Sequence, residues 1–105
     1  MFTNQPEPNW KVLIENHGRC GIIRYQEDQN EIRFDWEYSG GSTVVLIWGP
    51  KEEKWNETYQ WAIGRRQQVY ERVAQSAILQ KAPTCKYSLN FNASTIDIYE
   101  PQISE

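Results

Sequence analysis

Glu31-Ile32-Arg33-Phe34-Asp35-Trp36-Glu37-Tyr38, then Ser39-Gly40-Gly41-Ser42, then Thr43-Val44-Val45-Leu46-Ile47-Trp48, is the stretch on which the fold of this chain turns. In its first part apolar and charged residues alternate. Ile32, Phe34, Trp36 and Tyr38 fall on one side of an extended chain, and Glu31, Arg33, Asp35 and Glu37 on the other. Period-two alternation is the mark of a half-buried antiparallel strand. The Ser-Gly-Gly-Ser segment is a flexible hairpin loop. The last part is continuously apolar and β-branched, the pattern of a central strand covered on both faces.

Working outward, residues 20–26 (Cys-Gly-Ile-Ile-Arg-Tyr-Gln) read as a preceding strand, joined to residues 31–38 by the polar turn Glu27-Asp28-Gln29-Asn30. Three strands with short connections form a meander. Upstream, Trp10, Leu13, Ile14 and His17 have the spacing of one helical face, which predicts a short helix over residues 9–17, with Asn9 as N-cap and Gly18 as its stop. Lys11-Val12-Leu13-Ile14 also fits a strand. Downstream, Pro50 suits a first helical position, and Glu52 and Glu53 suit the helix dipole. The pattern then stays helical to about Lys81, with Gly64 the candidate bend and Pro83 the stop. Cys85–Phe91 and Thr95–Tyr99 alternate again and supply the last two strands. The expected fold is a single α+β domain in the order α-β-β-β-α-β-β: a mostly antiparallel five-stranded sheet with one long helix on a face. Its core covers about residues 9–100, and residues 1–5 and 101–105 are expected to be loose tails.

Composition narrows the function classes. The chain has 105 residues, 11 Lys and Arg against 14 Asp and Glu, and a formal net charge of −3. A mildly acidic chain offers no general attraction to nucleic acid or anionic lipid. The longest apolar run, Val44–Trp48, is far short of the ~20 residues that span a bilayer. Aromatic residues at 13% argue against disorder. No secretory signal is visible at the N-terminus, so a cytoplasmic location is expected, with Cys20 and Cys85 reduced. A bridge between them would need adjacent strands. The sequons Asn56-Glu57-Thr58 and Asn92-Ala93-Ser94 then carry no glycan.

The search for chemistry is mostly negative. One histidine and two distant cysteines do not make a zinc site, and no nucleotide or calcium loop is present, so neither metal nor cofactor is expected. His17 and Cys20 stand close in sequence and could form a thiolate pair, yet His17 falls on the apolar stripe of the expected first helix, where packing is its simpler role. Asp35 and Glu37 share the polar face of one strand, about 7 Å apart by strand rise. A solvated surface, a charged contact surface and an acid–base pair are the alternatives there. On a helical wheel Trp61 points away from the apolar stripe, alongside Lys54, Arg65, Gln68, Arg72 and Leu79. An outward Trp beside Arg has the composition of an interface hot spot; it could also stack on single-stranded nucleic acid, or be covered by a sheet edge or tail. Arg66 falls within the apolar stripe and is expected to snorkel or to pair with Asp35 or Asp97.

In its size, acidity, Trp content and element order, the chain resembles the immunity proteins of bacterial polymorphic toxin systems, in particular TriTu-type immunity proteins. The resemblance rests on these overall features and carries over no residue. It implies a non-catalytic antitoxin, an inhibitor that neutralises a cognate toxin domain, here an ADP-ribosyltransferase attacking elongation factor Tu, by occluding its active site. No nucleic acid, membrane or small-molecule substrate is expected as partner. The acidic candidates for the contact are Glu27, Asp28, Asp35 and Glu37, and the competing surface is Trp61, Arg65 and Arg72. An adaptor or chaperone-like subunit presenting the long helix, and a small enzyme using Cys20 with His17, are the alternatives.

Overall fold

The computed structural model describes residues 9–101. Six strands form one antiparallel sheet: β1 (Trp10–Asn16), β2 (Cys20–Glu27), β3 (Asn30–Tyr38), β4 (Thr43–Trp48), β5 (Lys86–Asn90) and β6 (Thr95–Tyr99). Their spatial order is β1-β2-β3-β4-β6-β5. Between β4 and β5 lie α1 (Glu52–Thr58), a 3-10 turn (Gln60–Ala62) and α2 (Arg66–Lys81). The α+β class and the antiparallel sheet are as the sequence predicts. The element order is not: it is four strands, two helices, two strands. Of the expected tails, residues 1–5 and 102–105 lie outside the described residues.

Two corrections account for the difference. Residues 10–16 form a strand and not a helix. Trp10, Val12 and Ile14 lie opposite Glu27, Tyr25 and Ile23 of β2, and Val12 is buried. The helical spacing competes with this alternation over the same few residues, and pairing with the free edge of β2 decides for the strand. His17 sits in the tight β1–β2 turn, where its amide donates to the Cys20 carbonyl at 2.8 Å. The second correction is to the long helix, which is two. α1 ends at Thr58, Gly64 with φ +81° interrupts the helical backbone again just before α2, and the Trp55 indole spans the break by donating to the Ala62 carbonyl at 2.9 Å.

The core lies between one sheet face and α2. Val69, Tyr70, Val73, Ala74 and Ala77 are the buried residues of that helix. They meet Ile23, Ile32, Phe34, Ile47, Ile96 and Ile98 from the strands. Tyr70 is edge-on to Phe34 at 5.3 Å and donates to the Pro50 carbonyl at 2.9 Å. Gly21 lies across from Trp36, whose indole reaches over it to donate to the Glu15 carbonyl at 3.0 Å. A Cβ at position 21 would collide with that carbonyl and stand 2.6 Å from the indole nitrogen.

Gly21→Ala is therefore expected to destabilise the fold by about 2 kcal/mol or more, as overpacking of a tight core does. Gly40→Ala, with nothing within 4 Å of the added Cβ, is expected to be near neutral. Urea unfolding of the two variants checks the contrast; equal midpoints would refute it.

Candidate functional site

Strand register assigns the second face of the sheet. Because the core takes Trp36 and Ile47, their neighbours Asp35, Glu37, Leu46 and Trp48 turn the other way. Across the strands, Asp35 pairs with Trp48 and Glu37 with Leu46, and Leu46 pairs in turn with Asp97 and Trp48 with Thr95. No described helix lies on this side. Leu46 and Trp48 are only partly buried. This corrects the expectation that β4 is covered twice. It is central in the sheet, but only its Val45 and Ile47 side meets the helix layer.

The charges of this face are unequally satisfied. Arg24 binds both Glu15 and Glu31, the latter at 2.9 Å. Its guanidinium holds the Glu15 carboxyl below the usual range. The Gln26 amide, with Arg24 beside it, does the same for Glu31. Arg33 reaches Asp35 at 3.1 Å along the same strand, so Asp35 shares its charge. Glu37 and Asp97 have no ion-pair partner among the described residues. The expected negative pair Asp35 and Glu37 is thus better written Glu37 and Asp97, one on each side of Leu46. The sequence reading singles out neither Leu46 nor Trp48 for binding, because a continuous apolar run looks doubly buried. Asp97 needs the β4–β6 neighbourhood, which only topology reveals.

The other candidates gather on the helix side. Glu27 is no surface acid: its residue is 5% exposed. Arg65 grips it with two bonds of 2.7 Å, Tyr25 donates to it at 2.6 Å, and Arg72 stands at 3.2 Å. Arg72 also lies over the Trp10 ring, 4.8 Å from its centre. Acid and base candidates assigned to rival surfaces therefore neutralise each other, with Arg65 the main cause of a Glu27 pKa lowered to about 2. Asp28 is exposed in the β2–β3 turn, at φ 55°, and meets the Asn9 amide at 3.4 Å. Trp61 lies in the 3-10 turn, half-buried against the core. The broken helix removes the wheel that aligned it with Arg65 and Arg72. Among the described residues Arg66 takes no carboxylate; it donates to Ser94 Oγ at 2.8 Å and lies over the Tyr70 and Phe91 rings.

His17 leaves the apolar face where the sequence puts it. Its side chain is exposed and 3.5 Å from Glu15. Cys20 is exposed and Cys85 half-buried, both as free thiols. Three strands separate β2 from β5, a distance of about 19 Å at ordinary strand spacing and beyond a disulfide's reach. Among the described residues no group of three His, Cys, Asp or Glu side chains could hold a metal ion, and no helix is long and apolar enough to cross a membrane. No family model matches this chain, and no curated protein or solved structure matches it either.

The Glu27 cluster carries a pH signature. Its folded pKa of about 2 lies below the ordinary 4.5, so between those values the unfolded chain binds more protons than the native one. The stability it contributes is complete above about pH 4.5 and is lost as pH falls toward 2. The depression is equivalent to about 3 kcal/mol. Glu27→Gln is expected to cost about 2–3 kcal/mol at pH 7 and to flatten the acid limb of stability against pH. Urea unfolding at neutral and acid pH measures both; a variant with the parent's acid slope would show that the carboxylate is not clamped.

Proposed function

We propose that this chain is a non-catalytic binding protein that docks the helix-free face of its sheet onto a basic surface of a partner protein. The observation that carries the reading is the partly buried pair Leu46 and Trp48 at the middle of the sheet, Leu46 flanked by Glu37 and Asp97 and Trp48 by Asp35 and Thr95. An aromatic anchor in an apolar centre with a charged rim is the anatomy of a protein interface. The rim carboxylates select a cationic partner and speed encounter with it. Arg24 and Arg33, held by carboxylates of the same face, keep the register of such a docking fixed.

The partner class that fits is a toxin domain, neutralised in the cytoplasm by occlusion. Enzymes that bind phosphorylated substrates carry basic clefts, and an ADP-ribosyltransferase, whose dinucleotide substrate bears a pyrophosphate, is one of them. A sheet face with an apolar centre and the unpaired carboxylates Glu37 and Asp97 beside it can cover the mouth of such a cleft and needs no chemistry of its own. The Trp61, Arg65 and Arg72 surface has no part in this reading, since two of its members are committed to Glu27.

Where the neighbouring gene encodes a toxin domain, co-expression of this chain is expected to restore growth. With that domain as ligand, Trp48→Ala is expected to lose about 2 kcal/mol or more of affinity, mainly through faster dissociation. Glu37→Lys combined with Asp97→Lys should slow association and reduce its salt dependence. Leu79→Ala, at a helix position 78% exposed on the opposite side, should bind like the parent. Parent-like binding by the folded Trp48 and charge-reversed variants overturns the docking face, and a toxic neighbour whose effect is not relieved overturns the toxin reading.

A further inference from the structure

The helix layer does not close one end of the core. Beyond Ala77, α2 leaves an open cavity of about 140 Å³ over the sheet. Its apolar lining includes Ile14, Ile23, Trp36, Ile47, Ile98 and Ala77, and its polar lining is Asn16, Tyr38 and Lys81. The volume is close to that of an engineered apolar cavity of about 150 Å³ that stays dry and binds benzene. The small side chain of Ala77 leaves that space free, where a Leu would fill it.

Among the side chains at this cavity the one charge is positive, that of Lys81. None of its lining residues is acidic. Lys81 is exposed and has no ion-pair partner among the described residues. Asn16 accepts a hydrogen bond from the Gly18 amide through its Oδ1 at 2.9 Å, which leaves its Nδ2 to donate. The Tyr38 hydroxyl belongs to a residue 46% exposed and can donate as well. A ring-sized apolar chamber with an ammonium, an amide and a phenol as donors is matched by a ligand that ends in acceptors. The last carbonyls of α2 add negative partial charge nearby, and Lys81 offsets it.

We infer that this cavity binds a small hydrophobic carboxylate, its ring-sized tail against Trp36 and Ala77 and its carboxylate held by Lys81 and Asn16. The site lies on the helix side of the sheet and is independent of the docking face. 3-Phenylpropionate is the probe, and 3-phenylpropan-1-ol its uncharged counterpart. Titration followed by NMR through the Trp36 indole N–H, which is fixed on the Glu15 carbonyl, is expected to give a dissociation constant on the order of 1 mM or tighter for the acid. Lys81→Ala should weaken the acid by about three- to tenfold and leave the alcohol unchanged. Ala77→Leu should abolish binding of both. An unmoved indole resonance up to about 10 mM acid, or parent-like binding by a folded Ala77→Leu protein, overturns the site. Equal binding of acid and alcohol by the parent overturns the carboxylate. Should Ala77→Leu fail to fold, the Lys81→Ala comparison decides, since Lys81 is exposed and its loss leaves the core intact.

Discussion

A single buried carboxylate orients the helix layer. Glu27 ends β2 on the core side of the sheet, and Arg65 and Arg72, one on each side of the first turn and a half of α2, converge on it with Tyr25. Such a group would be costly to bury alone, since an unpaired charge in a protein interior loses its hydration. Here the partners come from the sheet and from the helix, so the carboxylate is satisfied only when the two layers are correctly placed. Trp10, stacked near Tyr25 at 6.0 Å and lying under Arg72, brings β1 into the same arrangement.

The rest of the architecture follows from that anchor. With its first half held at the β1–β2 end, α2 runs across one face of the sheet, and α1 packs beside it through Trp55 and Tyr70. Both helices lie between β4 and β5 in the chain, and both serve the same face. The opposite face is left to whatever its own side chains can do. Charged residues on the outer strands solve this by pairing with one another, as Arg24 does with Glu15 and Glu31. At the centre of the sheet, β4 has no charged residue with which to do so.

How far the sequence foretells this depends on the range of the interaction. The alternation in β2, β3, β5 and β6 is local and legible; Gly64 is legible as a bend, whereas the end of α1 at Thr58 and the 3-10 turn that follows are not. Residues 10–16 are not, because Trp10, Leu13 and Ile14 satisfy a helical spacing as well as Trp10, Val12 and Ile14 satisfy an extended one; the free edge of β2 makes the choice. The Glu27 cluster joins residues 38 and 45 positions apart, and no periodicity records such a pairing. Glu27 looks like a turn residue because it stands next to Asp28. Arg72 looks solvated because a continuous wheel through Gly64 turns it outward. Among the candidate contacts, Asp35 and Glu37 could be assigned to an outer face from alternation alone. Their neighbours Trp48 and Leu46, and Asp97 beyond Leu46, depend on which strands pair.

β4 is where these lines of reasoning meet. Six consecutive residues, Thr43 to Trp48, carry no charge, which is more apolar surface than a one-sided helix layer can cover. Alternation divides the run between two sides. Val45 and Ile47 line the open cavity at the end of α2, and on the helix-free face Leu46 stands between Glu37 and Asp97 and Trp48 between Asp35 and Thr95. Leu46 and Trp48 keep apolar side chains where no described helix covers them, and Ala77 leaves the cavity at the end of α2 unfilled. A strand that keeps apolar side chains where its own fold leaves them incompletely covered is organised for contacts that the isolated domain does not make. The rim groups then carry the information: the carboxylates beside Leu46 fit a cationic protein surface, and donors around the cavity fit an anionic small molecule.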